Sequence, residues 1–223
     1  MIVFVDGENF RQNLTKELMR KHLIKNQDTM YKYDVVGLMQ EALKTDDVEV
    51  RYYASEVRMP KDYEPDPEIV EQMQKIERKA KRWTLMLEEQ NVKYIRAGNL
   101  KPKMARPCRH CGKQEEIIQE KGVDVRLALD IFEQCLEPDC DEIAVMSSDV
   151  DLCPVYQKAH RHWTKVRYVC FADRMNRAVN SSCYRTMTIS PAMVKNHFEG
   201  VMVGGESEIA EGTLVTDDYV DEN

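Results

Sequence analysis

The chain has 223 residues, 43% of them apolar and 32% charged, with a formal net charge of −7. That length can bury a proper core, and no stretch approaches the ~18 apolar residues of a membrane span. The negative balance does not exclude a polyanionic partner. Seven of the 39 acids fall between Gly200 and Asn223, where no Lys or Arg occurs, and residues 1–199 hold 32 charges of each sign.

In chain order, Ile2 to Val5 read as a buried strand with no basic region before it, so no signal peptide is expected and a cytoplasmic address follows. "FRQNLTKELMRKHL" is an amphipathic helix with Phe10, Leu14, Leu18 and Met19 on one side, and "DVVGLMQEALK" is a second helix capped by Asp34. "VEVRYYAS" (48–55) is a strand rich in β-formers, and "EVRMPKDYEPDP" is a loop on its prolines. A long charged helix runs from Pro67 to about Gln90, with "KIERKAKRW" as its solvated face, and "VKYIRA" (92–97) is the third strand.

Residues 98–114, "GNLKPKMARPCRHCGKQ", hold five basic residues, no acid and two prolines, so an exposed insertion is expected there. "VDVRLALDIFEQC" is then a helix, "EIAVMSS" a strand, "DLCPVYQKAHRHW" a helix and "KVRYVCFA" a strand. Strands alternating with helices predict an α/β fold with a parallel sheet. The simplest division is one domain over 1–199 and a flexible acidic tail over 200–223.

Ligands of an open parallel sheet bind beyond the carboxyl ends of its strands. Asp6 follows the first strand, Asp149 and Asp151 follow "EIAVMSS", and Asp124 begins the helix after the insertion, so four carboxylates are expected at one rim. Each has a structural reading too. Asp6-Gly7 fits a turn with Asn9 as a helix cap, and "SSDVD" fits a cap by Ser148 with Asp151 three residues on. Asp124 suits a helix N-terminus, although it falls with Leu127, Ala128 and Ile131 on the apolar side, where a carboxylate needs a partner. Together, like charges of this kind call for a divalent cation, and hard oxygen ligands suit Mg²⁺ or Mn²⁺.

"VDGEN", "KGVDVRLALD" and "SSDVDLCPV" resemble, in order and spacing, the motifs of NYN-type PIN-like domains, the group that includes the LabA-like proteins. The resemblance covers roughly residues 1–190. It implies a PIN-like three-layer α/β sandwich with a central, mostly parallel sheet. It also implies a metal-dependent ribonuclease, most simply an endonuclease, with Asp6, Asp124, Asp149 and Asp151 as catalytic metal ligands. Asn9 matches the family's asparagine, and Ser147 and Ser148 are expected to contact substrate. Ser148 stands where a glycine is common and Leu152 where an aromatic is common.

Lys101, Lys103, Arg106, Arg109 and Lys113 in the insertion would hold RNA phosphates beside the acids. Within it, Cys108 and Cys111 have the C-x₂-C spacing of half a zinc knuckle, with His110 between them. Cys135 and Cys140 fall at the opposite rim and cannot complete it; Cys153 and Cys170 read as core thiols. With seven cysteines, an odd number, and no export signal, the thiols are expected to be reduced. RNA is the expected partner, self-association stays open, and no membrane contact is expected.

Two other functions compete. One is a non-catalytic nucleic-acid-binding or regulatory module that keeps the fold; a gathering of acids beside phosphates speaks against it. The other is a phosphotransfer enzyme with an aspartate nucleophile in a D-x-D arrangement, but the second residue after Asp6 is Glu8.

Overall fold

A computed structural model of the chain describes residues 1–61 and 63–202. Seven strands form one sheet: β1 (Ile2–Asp6), β3 (Glu49–Val57), β4 (Lys93–Met104), β5 (Glu116–Lys121), β6 (Glu142–Met146), β7 (Lys165–Phe171) and β8 (Arg185–Ile189), in the order β5-β4-β3-β1-β6-β7-β8. Every neighbouring pair is parallel except β4 with β5. Two short strands, β2 (Tyr31–Tyr33) and β9 (Phe198–Val201), make a separate antiparallel pair.

β1 lies at the centre and shows why the sheet is a sandwich filling. Val3, Phe4, Val5 and Asp6 are all buried, the continuous burial of a strand covered on both faces. Alternate side chains go opposite ways: Val3 and Val5 join one core cluster, Phe4 the other. Helices α1 (Gly7–Arg20), α2 (Val35–Leu43) and α3 (Pro67–Glu89) cover the first face through Phe10, Leu14, Leu38, Met39, Trp83 and Leu87. Helices α4 (Val123–Gln134), α5 (Cys153–Arg161) and α6 (Arg177–Ser182) cover the second through Leu127, Ile131, Tyr156, Ala159 and Val179. The outcome is the three-layer α/β sandwich with a mostly parallel sheet that the sequence predicts.

The last layer is tied in by α7 (Pro191–Asn196) and β9. Tyr33 donates its hydroxyl to the Val194 carbonyl at 3.1 Å, and the His197 ring lies between Asp34 (2.9 Å) and Glu41 (2.8 Å). β9 reaches Val201, past the expected start of the acidic tail; residues 203–223 lie outside the described residues.

The 98–114 segment differs from the expected insertion. β4 continues to Met104 and pairs with β5 from Asn99↔Lys121 to Met104↔Glu116, forming a hairpin arm. Its base belongs to the sheet, where Ser55 to Val57 pair with Gly98 to Leu100; beyond Val57, no other strand among the described residues lies beside the arm. Pro102 stands in that edge portion, where a missing N–H is tolerated.

Candidate active site

Asp6 ends the central strand and begins α1 with no loop between. Its Oδ1 accepts the Asn9 N–H at 3.1 Å, so Asp6 caps the helix, and not Asn9 as the spacing suggested. Gly7 permits this junction: a Cβ there would stand 2.5 Å from the Tyr53 carbonyl and 2.4 Å from the Tyr52 ring. Tyr52 seals the contact by donating its hydroxyl to the Gly7 carbonyl at 2.7 Å.

Val5 pairs with Met146, so the segment after β6 runs level with Asp6. Ser147, 1% exposed, donates to Asp6 Oδ2 at 2.9 Å and accepts the Asp149 N–H at 3.2 Å. Asp149 Oδ1 accepts the Asp151 N–H at 2.9 Å and caps the 3₁₀ turn Val150–Leu152. The cap is therefore Asp149, and the expected cap by Ser148 is corrected. The Ser148 hydroxyl instead pairs with the Tyr168 hydroxyl at 3.0 Å, and its carbonyl accepts from Asn176 Nδ2 at 3.0 Å. The hydroxyls of both serines, expected at the substrate, have hydrogen-bond partners within the protein.

Asp124 enters in the first turn of α4, directly after β5 and Gly122. Its side chain is exposed, while Val123, Leu127 and Ile131 carry the buried face, so it does not sit on the apolar side as expected. Asn9 is half-buried, its side-chain oxygen accepting from Asn13 Nδ2 at 3.1 Å.

The acids act on one another electrostatically. Burial raises the Asp6 pKa first; the Asn9 amide and Ser147 hydroxyl oppose it, and Asp124 and Asp149 push it up again. Asp124 is raised by what burial it has, then by Asp149 and Asp151, with no cation opposing. Glu120, at the end of β5, is raised by burial and then by Glu8, Asp6 and Asp124. Glu8 goes the other way: burial raises it, but Arg11 and Gln12 together bring it below its ordinary value. Glu120 was missed in the sequence although it directly precedes "KGVD"; the signal was its place at the end of a strand that the sequence did not reveal.

The donor set fits a hard divalent cation in kind, since it is all carboxylate oxygen and lacks a countercharge. Each carboxylate oxygen has two lone pairs, so the bonds from Asn9 and Ser147 leave Asp6 with acceptor capacity. In their present rotamers, no three His, Cys, Asp or Glu side chains among the described residues converge into a metal-holding group.

The basic residues divide into two groups. Lys101 and Lys103 lie across from Gln119 and Ile117 on one face of the arm, beside a cleft of about 620 Å³ that also takes in Arg58, Lys61, Tyr63 and Lys121. Among the described residues, none that lines this cleft is an acid. Arg106, Arg109 and Lys113 lie instead in the turn at the arm's tip, with Cys108 and Cys111. There the amides of Cys111 and His110 and the Cys111 thiol hold the Cys108 thiol below its ordinary pKa.

The NYN domain family matches residues 1–190. This chain belongs to the NYN domain family. An NYN domain is PIN-like, and nuclease-like in kind, which agrees with a central-strand aspartate facing further acids at the sheet's carboxyl rim. A solved structure of a Vibrio parahaemolyticus protein of unknown function is similar over 84% of this chain and 91% of that one, at 16% identity and a TM-score of 0.47. No curated protein matches the NYN chain. Among the described residues, no helix is long and apolar enough to cross a membrane.

Proposed function

We propose that this NYN domain is a metal-dependent ribonuclease that hydrolyses phosphodiester bonds of RNA. The observation that carries the reading is Asp6: a carboxylate 7% exposed, at the end of the central strand, whose charged neighbours at the rim are Asp124 and Asp149. Such an arrangement opposes folding unless a cation is shared.

Asp6, Asp124, Asp149 and Asp151 would hold Mg²⁺ or Mn²⁺. A cation there supplies a bound water of lowered pKa and neutralises charge on the scissile phosphate. Asp6 is fixed in orientation by Asn9 and Ser147, so it enters the reaction preorganised. Ser147 links Asp149 to the same frame, which keeps two carboxylates in register through one hydroxyl. Asp124 and Asp151 stand toward solvent, where a strand can reach them. Lys101 and Lys103, with Arg58, Lys61 and Lys121, would hold the RNA backbone in the cleft, and the exposed side of Tyr63 offers a stacking surface.

The second reading is an RNA-binding module without catalysis, for which the cationic cleft alone would suffice. Incubation with labelled single-stranded RNA separates the two. Cleavage that requires Mn²⁺, stops with EDTA and is lost in Asp149→Asn supports the nuclease. Binding without cleavage at any Mg²⁺ or Mn²⁺ concentration leaves the binding module.

A further inference from the structure

Cys108 and Cys111 occupy the tip of the β4–β5 arm, and both are exposed. The tip is an ordered turn. Ala105 N donates to the Glu115 carbonyl, Cys108 N to the Lys113 carbonyl and Gly112 N to the Cys108 carbonyl, each at 2.8 Å. Gly112 takes φ +72°, the left-handed region, with no atom within 4 Å of where a Cβ would stand. The turn folds back on itself there, with the Gly112 amide on the Cys108 carbonyl, which brings Cys111 back toward Cys108.

Two thiolates make half of a structural zinc set, which is tetrahedral and closed. Nothing described in this chain supplies the other half. No third His, Cys, Asp or Glu among the described residues joins the pair. The remaining cysteines, Cys135, Cys140, Cys153, Cys170 and Cys183, are in or against the core on the second face of the sheet. His197 is held between Asp34 and Glu41, and residues 203–223 contain neither Cys nor His. Two-fold symmetry doubles two ligands to four with no other residue, because an isologous contact uses the same patch on both copies.

We propose that two copies of this chain join tip to tip around one zinc ion, held by Cys108 and Cys111 of each copy.

The charges at the tip fit this arrangement. A zinc tetrathiolate carries net negative charge, and Arg106 and Arg109, which make no ion pair among the described residues, stand within three residues of the ligands. Two such tips repel when metal-free and become complementary to a shared anionic centre. Just below the tip, Met104 (43% exposed), on the face of the arm opposite Lys103, adds apolar surface that a partner arm would cover. The clasp assigns Arg106, Arg109 and the cysteines to assembly, leaving the cleft cations for a separate ligand.

The test uses the full chain, purified under reducing conditions and supplied with zinc, with metal content and molar mass measured on the same sample. The expected result is one zinc per two chains in a dimer. A strong chelator should remove the metal and give monomer, and added zinc should restore the dimer. Cys108→Ser should lose both zinc and dimer while its monomer melts as the chelated wild type does. If that variant does not fold, Cys111→Ser and the chelator titration of the wild type give the same reading. Cobalt substituted for zinc should show the charge-transfer intensity of four thiolates. One zinc per chain in a monomer, no zinc bound, or a dimer that survives both chelation and Cys108→Ser would each overturn the clasp.

Discussion

The Ser147 hydroxyl donates to Asp6 Oδ2 at 2.9 Å from a position 1% exposed, so a small buried side chain from β6's end sets the orientation of the carboxylate at β1's end. Ser147→Ala removes that donor and also the acceptor of the Asp149 N–H. The expected cost is about 1–3 kcal/mol of stability, from buried polar groups left unpaired. Cleavage should fall about 10–100-fold with metal affinity, by analogy with lost outer-shell support of metal ligands. Ser148→Ala should leave metal affinity unchanged. Equal effects of the two variants on manganese binding would remove Ser147 from its positioning role.

Asp6→Asn, Asp124→Asn and Asp149→Asn should each abolish cleavage while the far-ultraviolet circular dichroism stays that of the wild type. Asparagine caps helices about as well as aspartate, so Asp6→Asn keeps α1 and relieves repulsion, and the metal-free melting temperature should not fall. Asp149→Ala, in contrast, loses the cap of the 3₁₀ turn, a cost of about 1 kcal/mol. Undiminished manganese-dependent cleavage in any of the three Asn variants takes that residue out of the site.

The acid rim should impose a pH dependence on the metal-free protein. Asp6 and Asp124 are raised from 3.8 and Glu120 from 4.5 in the folded state. A carboxyl raised by folding contributes stability that is fully present below its unfolded value and is lost as pH rises through its folded value. In EDTA, the melting temperature of the wild type should therefore decline relative to an Asp6→Asn, Asp124→Asn, Glu120→Gln variant as pH climbs above 4.5. Added Mn²⁺ should reverse the decline in the wild type alone. Parallel curves for the two proteins would show that the rim carries no such strain.

The two basic groups should separate experimentally. Lys101→Gln, Lys103→Gln and Lys121→Gln together should weaken RNA binding for every sequence tested and flatten the dependence of affinity on salt, by about 0.7 in log–log slope per lost phosphate contact for a single strand. Single-turnover cleavage at saturating RNA should change little. Neutralising Arg106 and Arg109 should leave the salt slope nearly as it was. The opposite ranking, read from binding isotherms at several salt concentrations, would move the RNA path from the cleft to the tip.

Sequence patterns revealed the parallel α/β sheet because its central strands are largely apolar and its main helices carry one apolar stripe, while the three-layer sandwich came from the resemblance to NYN-type domains. β5 escaped because "EIIQEK" is exposed along most of its length, and β4's outer half escaped because Pro102 between Lys101 and Lys103 reads as loop. β2 and β9 are too short to show a period. At the rim, Asp6, Asp149 and Asp151 were legible from their places after strands, and Asp124 from its place at the start of a helix. The roles of their neighbours were not. "SSDVD" fits a cap by Ser148 and a cap by Asp149 equally well, and only Tyr168, twenty residues on, decides which serine is occupied elsewhere.

β1 is paired on one side with β3 and on the other with β6, so Ile2 touches Glu49 and Ile143. During synthesis the strand bearing Asp6 therefore keeps an open edge until the second half of the chain has emerged. Contacts this far apart in sequence form late and slowly. Asp149 and the serine that orients Asp6 arrive on the same late segment. A nascent or truncated chain ending before β6 holds Asp6 with Asn9 but without Ser147 and Asp149, and the acid rim is completed only as the sheet closes.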